Sequence, residues 1–187
     1  MNTVKDDLAK RRAANATALA AFGLTVERAA SAGYLRTIRV GAPATIFTVG
    51  YERRSSEELI SRLRDAGIEV LADIREKPIS RRADFREGPL REACADAKIA
   101  YQAWPLLGSK ESHRDDLHES GDITAFHKKF RTYARRCLME QIELIATEVA
   151  RRPVALLCYE RNHEDCHRMV VAELIAEHIG AGIIAIV

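Results

Sequence analysis

No apolar run in the sequence approaches the roughly 18 residues that a membrane-spanning helix needs. The glycine-rich phosphate loop GxxxxGKS/T is absent, and so is the GxGxxG of a dinucleotide fold. There is no internal repeat and no low-complexity segment. Neither sign of charge dominates, with 29 Lys+Arg against 27 Asp+Glu and a net charge of +2. That excludes a protein gripping nucleic acid by bulk charge, though not a local basic patch. The first residues, MNTVKDDLAKRRAANATALAAFG, are charged and lack the apolar stretch of a secretory signal. A cytoplasmic protein with no membrane partner is expected. Cysteines are few: Cys94, Cys137, Cys158 and Cys166. In a reducing compartment they are core thiols, metal ligands or reactive groups. At 187 residues and 47% hydrophobic content, one domain with an adequate core is expected without disulfides or a structural metal.

Two textures divide the chain. Residues 1–40 are Ala- and Arg-rich and read as a helical extension. A long helix from Thr3 to Phe22 is broken by Gly23, and a second, capped by Thr25, ends near Gly33. An Ala-rich helix of this kind covers a sheet or pairs with a second subunit, so a homodimer is open. Gly41–Pro43 marks a boundary, and residues 41–187 read as an α/β domain. Its expected strands cover 45–49, 69–74, 99–104, 153–158 and 183–187. Its expected helices cover 55–64, 90–97, 123–151 as one long helix, and 164–179. Residues 107–122, polar and punctuated by glycine, are expected as a surface loop. This alternation predicts a three-layer α/β fold, with a mainly parallel sheet of about five strands and helices on both faces. Ligands in such folds bind beyond the carboxyl ends of the strands. Polar residues concentrate there: Tyr51, Asp73, Arg75, Trp104, Cys158 and Glu160.

The densest chemistry lies in Leu157-Cys-Tyr-Glu-Arg-Asn-His-Glu-Asp-Cys-His-Arg168. Cys158 ends an apolar strand and Glu160 follows in the turn. Asn162 is expected to cap the next helix, with Asp165 as its capping-box partner. Cys166, His167 and Arg168 then open that helix, whose N-terminus favours anions and lowers a nearby thiol's pKa. A Cys–His pair there is a nucleophile with its base. Free cysteines are also common core fillers, and each thiol taken alone is better read that way. Cys94 and Cys137 lie on ordinary helices and are expected to be inert. Cys158, His163, Cys166 and His167 form a second, zinc-ligand reading. The spacing argues against it, because neighbours on a helix point about 100° apart. No cofactor is therefore expected, with zinc as the alternative.

Ala72-Asp-Ile-Arg-Glu-Lys-Pro-Ile-Ser-Arg-Arg82 carries the second constellation. Asp73 and Arg75 fall on one strand face, so Asp73 can orient Arg75. Ser80 and Arg81 return after the Pro78 turn. Arg75, Arg81 and Arg168 are expected to converge on a phosphate or carboxylate, which suits the guanidinium fork. Lys77 and Arg82 read as solvated.

Thr48-Val-Gly-Tyr51, Ala72-Asp-Ile-Arg75, Pro78-Ile-Ser-Arg81, Leu90, Ile99-Ala-Tyr101, Leu106-Leu-Gly108, Leu156-Leu-Cys-Tyr-Glu160 and Cys166-His-Arg168 occur in that order. Over about residues 45–176 the chain resembles the bacterial and archaeal family called domain of unknown function 488. The resemblance implies a compact α/β domain with a shared polar site. The pattern positions are Tyr51, Asp73, Arg75, Ser80, Arg81, Tyr101, Cys158, Glu160, Cys166, His167 and Arg168. The sequence departs from the family's usual form at Tyr51-Glu52-Arg53 and at Ser109-Lys110.

The leading expectation is an enzyme, hydrolase- or transferase-like, acting on a phosphorylated or nucleotide-like substrate. Cys158, Glu160, Cys166 and His167 are its catalytic candidates, and Tyr51, Asp73, Arg75, Ser80, Arg81, Tyr101 and Arg168 its substrate-binding candidates. A nucleic-acid module is the alternative, using Arg36 with Arg39, Arg53-Arg54, Arg81-Arg82 and Lys128-Lys129, with Tyr101 and Trp104 for stacking. A metal- or redox-linked regulatory protein is the third.

Overall fold

The computed structural model describes residues 44–187 and the backbone of Leu35–Arg39. The helices expected at 3–22 and 25–33, and the dimer contact they suggest, lie outside the described residues. Leu35–Arg39 forms β1, so this part of residues 1–40 joins the sheet. Then follow β2 (Thr45–Gly50), α1 (Ser56–Asp65), β3 (Val70–Asp73), α2 (Glu87–Asp96), β4 (Ala100–Ala103), α3 (Glu111–Ser120), α4 (Ile123–Cys137), α5 (Met139–Val149), β5 (Val154–Cys158), α6 (His167–Ile179) and β6 (Gly182–Ile186). Strand order is β1-β6-β2-β5-β3-β4. The last five strands run parallel, and β1 pairs antiparallel with β6 at the edge. No helix among the described residues is long and apolar enough to cross a membrane.

The three-layer α/β expectation is met. Strand side chains alternate between two cores. Phe47, Val49, Leu71, Ala155 and Leu157 face Leu59 and Leu63 of α1 and Leu90 and Cys94 of α2. Ile46, Val70, Ala72, Val154 and Leu156 face Phe130 of α4, Ile142 and Ile145 of α5, and Val170, Val171 and Leu174 of α6. Both faces of β2 and β5 are therefore covered, which is why these strands read as continuous apolar runs. Helix α6 is buried nearly all round, wedged between the sheet and its helical neighbours.

Three expectations are corrected. The long helix at 123–151 is two helices, bent at Leu138, whose φ of −119° and ψ of 4° leave the helical region. Unbroken, it would extend about 40 Å, against about 13–20 Å for strands of this length. The bend lets both apolar stripes stay on the sheet. The expected loop at 107–122 holds α3. Its only buried side chain is His113, set against the rings of Phe130 and Tyr133 at 6.1 and 5.1 Å. A helix polar on nearly every side leaves no apolar period to detect. Gly121, read as loop punctuation, ends α3 with a left-handed φ of 66° that glycine adopts without strain. Finally, Asn162 does not cap α6. It donates to Asp165 at 3.0 Å, while the Cys166 sulfur accepts from the Arg168 amide at 3.4 Å and takes the cap position.

The chain winds in two senses. From β2 it leaves through α1 on one face, and from β5 through α6 on the other. β2 and β5 are neighbours, so a crevice opens between their carboxyl ends at this switch point. The loop after β5 folds back over the end of β2, and Tyr51 and Glu52 amides donate to the carbonyls of Cys158 and Tyr159 at 3.4 and 2.9 Å. A Cβ on Gly50 would lie 1.8 Å from the Glu160 carbonyl oxygen. Gly50→Ala must push that loop outward, an overpacking cost of about 1–3 kcal/mol. Thermal melting should fall by roughly 2–4 °C for each kcal/mol lost in a chain of this size. An unchanged melt would refute the close approach.

Candidate active site

The crevice is a cleft of about 340 Å³, with Tyr51, Arg75, Cys158, Glu160 and His167 in its wall and Glu76, Lys77, Glu111 and Arg114 at its mouth. Its two sides do different work, and they belong to different faces of the sheet.

On the α1/α2 side, Asp73 ends β3 with its carboxylate buried. One carboxylate oxygen accepts from Arg75 Nε at 2.8 Å, the other from Arg75 Nη2 at 2.5 Å and from the Tyr101 hydroxyl at 2.6 Å. Arg75 Nη1 continues to the Phe85 carbonyl at 2.9 Å and to the Tyr51 hydroxyl at 3.2 Å. Tyr51 stacks on Phe85 with ring centroids 4.3 Å apart. Burial alone would lower the Arg75 pKa, but the Asp73 carboxylate outweighs it and the guanidinium stays charged. Burial and the Asp73 charge push the Tyr101 hydroxyl up, so it remains a donor.

On the α6 side stand the two thiols and an imidazole. Cys158 is the last residue of β5. Cys166 is not inside the helix but at its cap, with an extended backbone of φ −132° and ψ 147°. The 100° separation of helical neighbours therefore does not apply to Cys166 and His167. His167 Nδ1 lies 3.6 Å from the Cys158 sulfur and 3.7 Å from the Cys166 sulfur. Its Nε2 faces the Ile74 carbonyl at 3.2 Å. A carbonyl only accepts, so Nε2 carries a proton, and in the neutral ring Nδ1 then presents its lone pair to both thiols. Phe130 holds the ring edge-on at 5.4 Å. Glu160 Oε2 lies 3.2 Å from the same Cys158 sulfur, so it and Nδ1 are the two acceptors within reach of the one thiol proton.

The electrostatics follow from this packing. Burial pushes the Cys166 thiol well up, and the hydrogen bond with Cys158 adds to it. For His167, burial works downward, but the Cys166 sulfur, Glu160 and the Ile74 carbonyl hold it above its ordinary value. For Glu160, burial works upward, but hydrogen bonds from Cys166 and Cys158 and the charge on His167 keep it below the ordinary carboxylate value. Elsewhere, burial raises the Cys94 thiol to about 12, so that residue is inert.

The arginine convergence does not occur. Arg168 is buried, and its two Nη atoms donate to the Glu160 and Arg161 carbonyls at 2.5 and 3.0 Å. It braces the turn after β5 from behind. Arg81 is exposed and outside the cleft wall. The Ser80 hydroxyl accepts from the Arg82 amide at 3.2 Å, closing a local turn. His163, one of the four zinc-ligand candidates, pairs with the Thr48 hydroxyl at 2.9 Å and is not in the thiol cluster. Tyr101 is buried on Asp73, and Trp104 packs on the core beside α5 with its indole N–H on Gln102, so neither offers an open stacking face in the cleft. Glu76, Glu111 and Arg114 were missed by sequence reasoning. Glu111 and Arg114 belong to α3, the helix that left no apolar signal. The usable sign was Gly108: a Cβ there would lie 2.2 Å from the Glu76 amide, because the chain entering α3 is pressed against this wall.

The sequence matches the family described as Domain of unknown function DUF488 over residues 55–175, well over half of the chain. The chain belongs to this family. Cys158, Glu160, Cys166 and His167 all lie within the matched span, and Tyr51 lies just before it. No curated protein and no solved structure matches the chain.

The Asp73–Arg75 pair yields a direct test. Asp73→Asn leaves a buried guanidinium without its counter-charge, which costs about 3–5 kcal/mol. Urea denaturation should show that loss, and a loss under about 1 kcal/mol, the range of exposed pairs, would show that the pair is solvated.

Proposed function

We propose that this DUF488 chain is an enzyme whose Cys158 thiol attacks a small anionic substrate bound in the strand-end cleft. The observation that carries this reading is the His167 ring, whose Nε2 is fixed on the Ile74 carbonyl and whose Nδ1 faces the Cys158 sulfur at 3.6 Å. Nδ1 takes the thiol proton, and the thiolate forms a bond to an electrophilic acyl carbon or phosphorus. The leaving group departs with the proton held on Nδ1. Water or a second acceptor then displaces the sulfur and returns a proton to it. Of the two thiols, Cys158 is the one in the cleft wall, while Cys166 lies behind it.

The anionic preference rests on Lys77 and Arg114. Both are partly or largely exposed, and they pair with Glu111 and Glu76 at 3.5 and 3.0 Å. Exposed pairs of this kind contribute only about 0–1 kcal/mol each. Exchanging one carboxylate partner for a substrate phosphate or carboxylate therefore costs little. Arg75 offers no such exchange, since Asp73 neutralises it.

Iodoacetamide modification followed by peptide mass spectrometry tests the pair on the metal-free chain, with exposed Cys137 as internal reference. His167→Gln should slow alkylation of Cys158 by roughly a hundredfold, the lower end of general-base effects, and leave Cys137 unchanged. Equal Cys158 rates in the two proteins would overturn the pairing. Turnover of acyl and phosphoryl ester surrogates should vanish in Cys158→Ala. Undiminished turnover would remove the thiol from the reaction.

A further inference from the structure

We infer that the same cluster is a thiophilic metal site, taking one Zn²⁺ on Cys158 Sγ, Cys166 Sγ and His167 Nδ1, and that the bound ion regulates the cleft by occupying its nucleophile. The inference deepens the proposed thiol reaction and rests on the same cleft.

The first support is shape. Tetrahedral zinc, with bonds of about 2.3 Å to sulfur and about 2.0 Å to nitrogen, requires sulfur-to-nitrogen edges near 3.5 Å. The two edges present are 3.6 and 3.7 Å. All three donor atoms lie within 4.8 Å of one another, and all three residues are buried. The remaining sulfur-to-sulfur edge, within 4.8 Å, must close toward the roughly 3.8 Å of a tetrahedral site, a movement of about half an ångström at each sulfur. The fourth position then opens on the cleft, since Cys158 and His167 line it.

The second support is the ring's outer contact. A metal-binding histidine ordinarily donates its remaining N–H to a carbonyl or carboxylate, which fixes the tautomer and aims the free nitrogen. Nε2 on the Ile74 carbonyl does this at 3.2 Å. Cys166 is aimed in turn by its cap role, through the Arg168 amide.

The third support is charge. Cys158, Cys166 and Glu160 place three potential anions around one imidazole. The nearby guanidiniums are engaged elsewhere, Arg75 on Asp73 and Arg168 on backbone carbonyls. A divalent ion with two thiolates and a neutral imidazole makes a neutral unit, and binding releases the two thiol protons to solvent. Thiolate donors select zinc or copper(I) over harder ions.

Metal ligation and attack on substrate use the same Cys158 lone pair. The loaded chain is therefore a resting form, and removal of the ion frees the nucleophile.

The test uses the full chain, purified without a polyhistidine tag, stripped with a chelator and re-equilibrated with Zn²⁺ alone. Elemental analysis after gel filtration should give one zinc per chain, with Cys158 and Cys166 protected from iodoacetamide and Cys137 unaffected. Serine is a favoured N-cap residue, so Cys166→Ser retains the fold, checked by its melt. It should bind zinc more weakly by at least the roughly tenfold to hundredfold that loss of even an outer-shell partner costs and lose the protection of Cys158. Clearly substoichiometric zinc in the wild-type chain, or full alkylation of Cys158 in its presence, overturns the inference. The two readings fail separately. Rapid His167-dependent alkylation without zinc binding removes only the metal site. Stoichiometric zinc with Cys158 alkylation indifferent to His167 in the stripped protein removes only the nucleophile.

Discussion

A single buried carboxylate organises the working edge of the sheet. Asp73 ends β3 and accepts both arms of the Arg75 fork together with the Tyr101 hydroxyl from β4. Through Arg75 it also holds Tyr51, just past β2, and the Phe85 carbonyl ahead of α2. Two charges out of water are costly, and only a matched fork with further hydrogen bonds offsets the desolvation. Those conditions are met here. The result is a rigid wall whose charge is internally cancelled.

That wall explains how labour is divided across the cleft. The side built on α1 and α2 supplies shape. The side built on α6 gathers two thiols and an imidazole, because β5 and the helix cap bring Cys158, Cys166 and His167 together. The exposed ion-paired cations, Lys77 and Arg114, belong to neither side but stand at the mouth. Gly50 and Gly108 are what allow the pieces to meet. Each runs its backbone so close to a neighbouring chain segment that no side chain fits.

Much of this was readable from residue order. A run stopping at Gly50 located β2, and the continuous apolar run Pro153–Cys158 located β5, since strands covered on both faces carry no polar alternation. The parallel α/β class followed, and with it the location of the site beyond the strand ends. Asp73 beside Arg75 was legible as well, from the two-residue spacing that puts side chains on one face of extended chain, although β3 ends at Asp73 and Arg75 lies just past it. Helix α3 was not legible. Its hold on the domain is one histidine ring and a few ion pairs, including Lys129 with Asp116. The break at Leu138 was equally hidden, because an apolar period of the same phase runs through both helices and only the size of the sheet demands a bend.

Local chemistry thus named the reactive groups: two thiols, an imidazole, a carboxylate and several guanidiniums. It could not assign their partners. Arg168 and Arg81 looked equivalent to Arg75, yet one is turned onto backbone carbonyls, one is left in solvent, and one is locked on Asp73. Cys166 and His167 looked divergent because helical geometry was assumed for both. The extended backbone at the cap turns the Cys166 sulfur back toward the ring instead. Spacing along the chain sets only what a side chain can reach. Which contact it makes is decided by the groups that other segments bury beside it, through competition for hydrogen bonds where water is excluded.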